Sequence, residues 1–231
     1  MDADIVDMAR HWYGYGRWEA KYWFIGPEPG MNSNENDLRQ RCNAWVELGR
    51  DELIDCKDHH FGFGEMDWHR ETPPPLPQRT WIQLIRLLLG YRHGTAPNIR
   101  EIVSYQQKTW GMKNGETCVI ELSSIAASNL AAPGQHDLFR EERIREIRQR
   151  ILRYKPTFVV MYGKLHRPHW EAIAGSPFGP DNLLTMGSTT AAFARHPVSY
   201  GLANDYWLQL AQKLRDQNAK TTASPTELNA R

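Results

Sequence analysis

The sequence predicts an α/β protein in which a mostly parallel sheet is sandwiched between helices. Three short apolar runs carry this reading: Lys21–Ile25, Cys118–Leu122 and Thr157–Tyr162. They are near-continuous rather than alternating, as expected of strands buried on both faces. Helical patterns separate them, and strands alternating with helices build parallel sheets.

From Ile5 to Glu19, apolar residues at Ile5, Met8, Trp12 and Tyr13 form a helical stripe. The run Lys21–Ile25 then reads as a strand feeding the loop Gly26-Pro27-Glu28-Pro29-Gly30. The polar stretch Asn32 to Asp37 can cap a helix over about Leu38 to Leu48. Residues 51–77 lose periodicity and end in a proline run, so a long surface loop insertion is expected there. Thr80 to Leu89 is apolar and helical, stopped by Gly90, and Cys118–Leu122 is a second buried strand. Leu138 to Tyr154 is amphipathic, with Ile144, Ile147 and Ile151 on one stripe. Thr157–Tyr162 is a third strand closed by Gly163. A helix near Pro168 to Ala174, a segment ending at His196-Pro197 and a last helix near Ala203 to Arg215 follow. Residues 1–217 form one domain, and the polar tail 218–231 reads as disordered.

The 231 residues suit one domain with a well-buried core. No apolar run approaches the ~18 residues of a membrane helix, and the N-terminus lacks a signal peptide's basic start. Cys42, Cys56 and Cys118 are three, odd in number and far apart, which argues for a reducing compartment and a cytoplasmic protein. A formal net charge of +1 carries no global signal for nucleic acid, although an enzyme that grips a few phosphates needs no excess.

In a parallel sheet, ligands bind outside the carboxyl ends of the strands. That gathers the loops after Ile25, Leu122 and Tyr162 with the loop at His196. Cleaving a bond between a sugar C1′ and a base nitrogen develops positive charge on the sugar and negative charge on the base. A carboxylate beside C1′ and a donor at the base carbonyl answer those charges. Glu28 and His196 are the residue types for these roles. Taken singly, each loop is also a turn that unrelated folds carry.

In their order, these motifs resemble the uracil-DNA glycosylase superfamily. There a strand leads to a motif of type G-x-[DEN]-P-G near the N-terminus, and a His-Pro motif precedes the last helix. Cys118–Ser124 and Phe158–Gly163 resemble the family's intermediate landmarks, so the resemblance runs from about Tyr22 to Leu210. It implies a three-layer α-β-α sandwich with a four-stranded, mostly parallel sheet. It implies a monofunctional DNA glycosylase that flips a base from double-stranded DNA and leaves an abasic site. Glu28 would position water, His196 would bond the base carbonyl, and Gly26, Pro29 and Gly30 would shape the substrate loop. Tyr200 and Leu202 fall near the residues that wedge into the duplex, or they pack under the last helix.

Two departures bear on the substrate. Uracil-strict members have Tyr where this chain has Gly30, which leaves the C5 side of a pyrimidine open. The base-reading Asn aligns with Glu121, and an ionised carboxylate only accepts hydrogen bonds. It would repel uracil O4 and accept from a cytosine N4 amine. Glu121 could equally be an edge or salt-bridged carboxylate. Both departures suit a C5-modified cytosine, and they resemble a phage-restricting branch of the superfamily that removes glucosylated hydroxymethylcytosine. The 51–77 loop could help house the sugar, through Trp68, His59, His60 and Asp67, or be a structural insertion. Trp45, Phe61 and Phe63 are candidates to stack on the base, with Phe61 favoured.

Candidate phosphate contacts are Ser188, Thr189 and Arg195, with Ser123 and Ser124 as the alternative and loop capping as the other reading. Ser199, Tyr200 and Arg195 lie in the His-Pro loop, and Ser123 follows the Glu121 strand on the substrate side. Alternating Arg and Glu around Arg143 reads as a solvated, salt-bridged face. Cys56, His59, His60 and His69 invite a zinc reading, but C-x-x-H-H is not a recognised ligand set and no metal is expected. Three dispersed cysteines cannot hold an iron–sulfur cluster, so no cofactor is expected. The partner expected is DNA, and the chain is expected to act as a monomer.

Overall fold

The computed structural model describes residues 2–30, 35–125 and 138–223. In chain order the elements are α1 (Ala3–His11), β1 (Gly14–Tyr15), β2 (Tyr22–Gly26), α2 (Glu35–Glu47) and β3 (Leu53–Ile54). There follow α3 (Cys56–Gly62), α4 (Arg79–His93), α5 (Ile99–Lys108), β4 (Thr117–Glu121) and α6 (Arg140–Tyr154). The chain continues through β5 (Phe158–Tyr162), a 3-10 turn (Lys164–His166), α7 (Arg167–Ala174), β6 (Leu183–Met186), β7 (Thr189–Ala194) and α8 (Asn204–Ala223).

The strands form one sheet in the order β3-β1-β4-β2-β5-β7-β6. Its centre, β4-β2-β5-β7, is parallel, which is the expected four-stranded sheet. Three short or outer strands extend it to seven. β1 runs antiparallel to β4 and parallel to β3, and β6 closes the other edge antiparallel to β7.

Alternate side chains of each central strand enter two separate cores. Phe24, Val119, Phe158 and Val160 pack with α1, α2, α4, α5 and α8. Trp23, Ile25, Cys118, Ile120, Val159 and Met161 pack with α6 and α7 on the opposite face. Burial on both faces explains why the sequence reads as unbroken apolar runs, and a three-layer α/β sandwich results.

The expected surface loop at 51–77 is built differently. Its first part is β3 and α3, and Leu53, Ile54, Cys56, His59, His60 and His69 are all buried. Asp55 caps α3 by accepting from the Lys57 and Asp58 amides. The stripe read from Ile5 to Glu19 is interrupted, since α1 ends at His11 and Gly14–Tyr15 pairs as β1. The expected tail is helical through Ala223, because Asn218 on α8 bonds the Tyr91 hydroxyl. The remainder of that tail, and residues 32–34 of the expected cap at 32–37, lie outside the described residues.

Arg143 corrects the expected solvated face on α6. It is 1% exposed and reaches under the sheet end to donate to the carbonyls of Leu122, Glu121, Ala9 and Arg10. Burial lowers its pKa to about 10. It also lies over the Tyr13 ring, 4.2 Å from its centroid.

Candidate functional site

The carboxyl ends of β2, β4, β5 and β7 open into one cleft of about 460 Å³. Glu28, Glu121, Tyr162 and His196 line it, one from each strand end or the loop beyond it. The cleft therefore joins Glu28 and His196, 168 positions apart in the chain. Pro27, Pro29 and Gly30 line it as well.

The loop after β2 is held by a continuation of the sheet ladder. Leu122 N–H donates to the Gly26 carbonyl (2.8 Å), and Ser123 N–H donates to the Pro27 carbonyl (2.9 Å). Glycine is required at 26 for a steric reason. A Cβ there would stand 2.3 Å from the Tyr162 hydroxyl and 2.7 Å from Glu121 Oε2. At Gly30 the opposite holds: among the described residues a Cβ would meet nothing within 4 Å, so they leave that corner of the cleft open.

The two carboxylates differ in environment. Glu28 is half-buried in its loop. Glu121 is buried at the end of β4, in register with Gly26, and its Oε2 has no hydrogen-bond partner among the described residues. Burial, reinforced by the nearby charge of Glu28, pushes the Glu121 carboxyl up to about 8. The acceptor-only reading of Glu121 is thereby corrected. At neutral pH the side chain is a carboxylic acid with one O–H donor and one carbonyl acceptor, the same pair that an amide presents.

His196 stands edge-on to the Tyr162 ring, with centroids 5.5 Å apart. Burial lowers its pKa, so the ring is neutral at pH 7. The Val198 amide donates to Nδ1 across 3.4 Å, which assigns the ring proton to Nε2 and makes that nitrogen a donor. Burial likewise keeps the Tyr162 phenol protonated.

The facing wall comes from β1 and from the α2–α4 region, through Tyr15, Arg41, His60, Trp68, Gln78 and Trp81. Trp68 and His60 had been singled out in the sequence, whereas Tyr15, Arg41, Gln78 and Trp81 had not. Arg41 is nearly buried, paired with Asp37 (3.1 Å) and placed 4.3 Å over the Phe63 ring. His59 bonds the Tyr15 hydroxyl (3.1 Å) and the Arg41 carbonyl (3.0 Å), so it braces the wall from behind. Asp67 is tied to Arg70.

Several expected positions fall elsewhere. Phe61 is 38% exposed on α3 and does not line the cleft, and Trp45 is wholly buried with its indole N–H on the Asp51 carbonyl. The aromatic surfaces in the cleft are Tyr15, Trp68, Trp81 and Tyr162. Ser123 and Ser124 brace the loop after β4, donating to the carbonyls of Ile125 (2.7 Å) and Trp12 (2.6 Å). Ser188 occupies the turn before β7, at the strand's opposite end. Six residues of strand put it about 20 Å from the cleft. Thr189 is buried beside it, bonded to the Pro156 carbonyl.

Arg195, Ser199 and Tyr200 belong to the loop whose His196 and Val198 line the cleft, but they do not line it themselves. Arg195 is exposed and its backbone N–H donates to the Tyr206 hydroxyl (3.0 Å). Tyr200 is 100% exposed, Val198 is 53% exposed, and Leu165 from the turn after β5 is 91% exposed. Leu202 is half-buried. Leu165, Val198 and Tyr200 thus stand in solvent on the loops after β5 and β7.

A scan against protein-family models finds no match to this chain, and a search among curated proteins finds none either. Among the described residues, no helix is long and apolar enough to cross a membrane.

Proposed function

We propose that this protein is a monofunctional DNA glycosylase that flips a C5-modified cytosine out of duplex DNA and releases it by hydrolysis. The observation that carries the reading is the convergence of Glu28, Glu121 and His196 in one cleft at the carboxyl edge of the sheet. In the reaction, the bond between C1′ and the base nitrogen breaks, and the electron pair leaves with the base. Water adds to C1′ and loses a proton that ends on the departing base nitrogen, so the products are an abasic sugar and the neutral base. Glu28 stabilises the positive charge at C1′ and orients that water. Neutral His196 donates from Nε2 to the carbonyl oxygen on which the leaving base gathers charge. Neither motif loop contains a lysine that could form a Schiff base, which supports hydrolysis without strand cleavage.

The open corner at Gly30 and the cleft's size support an enlarged base. The volume, about 460 Å³, lies within the 300–1,000 Å³ range of small-molecule pockets. The exposed Tyr200, Val198 and Leu165 are suited to fill the gap left in the duplex when a base is flipped. A second reading, plain uracil, is favoured by the protonated Glu121. Its O–H can donate to uracil O4 while its carbonyl accepts from N3–H. The same acid can donate to cytosine N3 and accept from N4, so Glu121 admits both bases.

The test is to incubate the protein with duplexes carrying uracil, cytosine, 5-hydroxymethylcytosine or its glucosylated form, and to identify the released base by mass spectrometry. Release of the C5-modified bases is expected. Release of uracil alone would replace the first reading by the second, and no release from any duplex would overturn both.

A further inference from the structure

Behind the cleft wall, Cys56, His60 and His69 place one potential ligand atom each within 4.8 Å of one another, and all three residues are buried. Cys56 opens α3, and His60 lies one turn later on the same helix face. His69 comes from the next segment, where its backbone N–H donates to the Met66 carbonyl. Cys56 Sγ is 3.4 Å from His60 Nδ1 and 3.7 Å from His69 Nε2.

These separations match the edges of a metal tetrahedron. Zinc bonds of about 2.3 Å to sulfur and about 2.0–2.1 Å to nitrogen place the two donors roughly 3.5–3.6 Å apart. From this geometry we propose that Cys56, His60 and His69 form a binding site for one borderline transition-metal cation of the zinc type. The sequence pattern C-x3-H-x8-H fits no familiar spacing, so the site is legible only once the chain is folded.

The surroundings suit such an ion. His60 is ringed by Trp68 and Trp81 at centroid distances of 5.1 and 5.5 Å, and His69 lies 5.9 Å from Trp81, giving the donors an apolar shell. His60 Nδ1 is also 2.6 Å from the Cys56 carbonyl. A carbonyl only accepts, so that nitrogen carries the ring proton in the metal-free protein; metal binding at Nδ1 moves the proton to Nε2, gives up this bond and displaces the thiol proton, so affinity rises with pH. Three protein donors leave one coordination position for solvent or another oxygen. The ion would fasten α3 to the segment carrying Trp68, and so set the position of two cleft-lining residues, His60 and Trp68. No step of base release depends on it.

The experiment uses untagged full-length protein, measured for metal by plasma mass spectrometry as purified, and again after chelation and titration with zinc and with cobalt(II). About one equivalent is expected to bind. Cobalt should give the thiolate charge-transfer absorption and the intense visible bands of a four-coordinate site. Cys56→Ser and His69→Gln should each cut binding at least tenfold and abolish the zinc-dependent rise in Tm. Cobalt titration of the native chain reads thiolate ligation directly, so the proposal stays testable if a variant fails to fold. Failure of the native protein to take up zinc or cobalt would overturn it. So would cobalt binding without a thiolate band, or undiminished binding by the folded Cys56→Ser variant.

Discussion

One wall of the cleft is made by strand ends and the loops they launch, and the other by β1, α2, α3 and the segment running into α4. On the first wall, Glu28, Glu121, Tyr162 and His196 sit on backbone fixed by the sheet ladder and by Arg143. On the second, His59 bonds both the Tyr15 hydroxyl and the Arg41 carbonyl, and His60 and Trp68 are held by ring packing. In the proposed reaction, the first wall would carry the groups that answer charge developing on a sugar and a base. The second presents aromatic surface and a cation. The division suggests that chemistry resides on the rigid wall and substrate choice on the other.

The largest effect expected is on the rigid wall. Glu28→Gln keeps the shape and removes the charge, and should lower kcat by roughly a thousandfold, the scale of a lost catalytic carboxylate. DNA affinity should change little. Equal base release by the variant and the wild type would place the chemistry elsewhere. Absence of release by both, with DNA binding intact, would mark a binding protein that keeps the fold.

Next is the brace beneath that wall. Arg143→Met removes donors to four carbonyls while keeping much of the apolar stem. Bonds from a charged donor contribute about 1.5–3 kcal/mol each, and losing several together should cost at least about 3 kcal/mol of stability. Chemical denaturation would measure it. A loss below about 1 kcal/mol would show that the loop after β4 is held by other means.

Trp68→Ala tests the second wall. A flat aromatic surface against a base or sugar is worth about 1–3 kcal/mol, so KM for the preferred modified duplex should rise about fivefold or more. With kcat little changed, the division between the walls holds. A fall in kcat matching that of Glu28→Gln would break it.

How much of each wall can be read from sequence follows from what holds it. β2, β4 and β5 are legible to within a residue because both faces are buried, leaving uninterrupted apolar runs. β7 is harder, since Thr-Thr-Ala-Ala-Phe-Ala is fully buried yet built from small residues that carry little hydrophobic signal. The motif loops are legible because Pro and Gly punctuate them. The second wall is legible only in part: Trp68 and His60 stand out as residue types, but their burial does not, because His59, His60 and His69 are polar residues packed around Cys56. Hydropathy assigns such a segment to the surface, and only tertiary contacts reveal its partners. Arg143 fails for the same reason: on α6 it looks like one more charge in an alternating row.

The smallest effect at neutral pH, and the sharpest comparison within one wall, concerns Glu121. Its carboxyl sits at about 8 when folded and near the ordinary carboxylate value when unfolded. Between those values the native protein holds a proton that the unfolded chain has lost. Its stability contribution is therefore present at low pH and declines as pH rises through about 8. Glu121→Gln does not titrate, so its stability should be flatter across that window. Activity should follow the same logic. Wild type loses the O–H donor above about 8, whereas glutamine keeps an N–H donor and a carbonyl acceptor. The variant should thus resemble wild type at pH 7 and outlast it at pH 9 on the same modified duplex. Coincident profiles for stability and base release would mean that Glu121 neither titrates in this range nor reads the base.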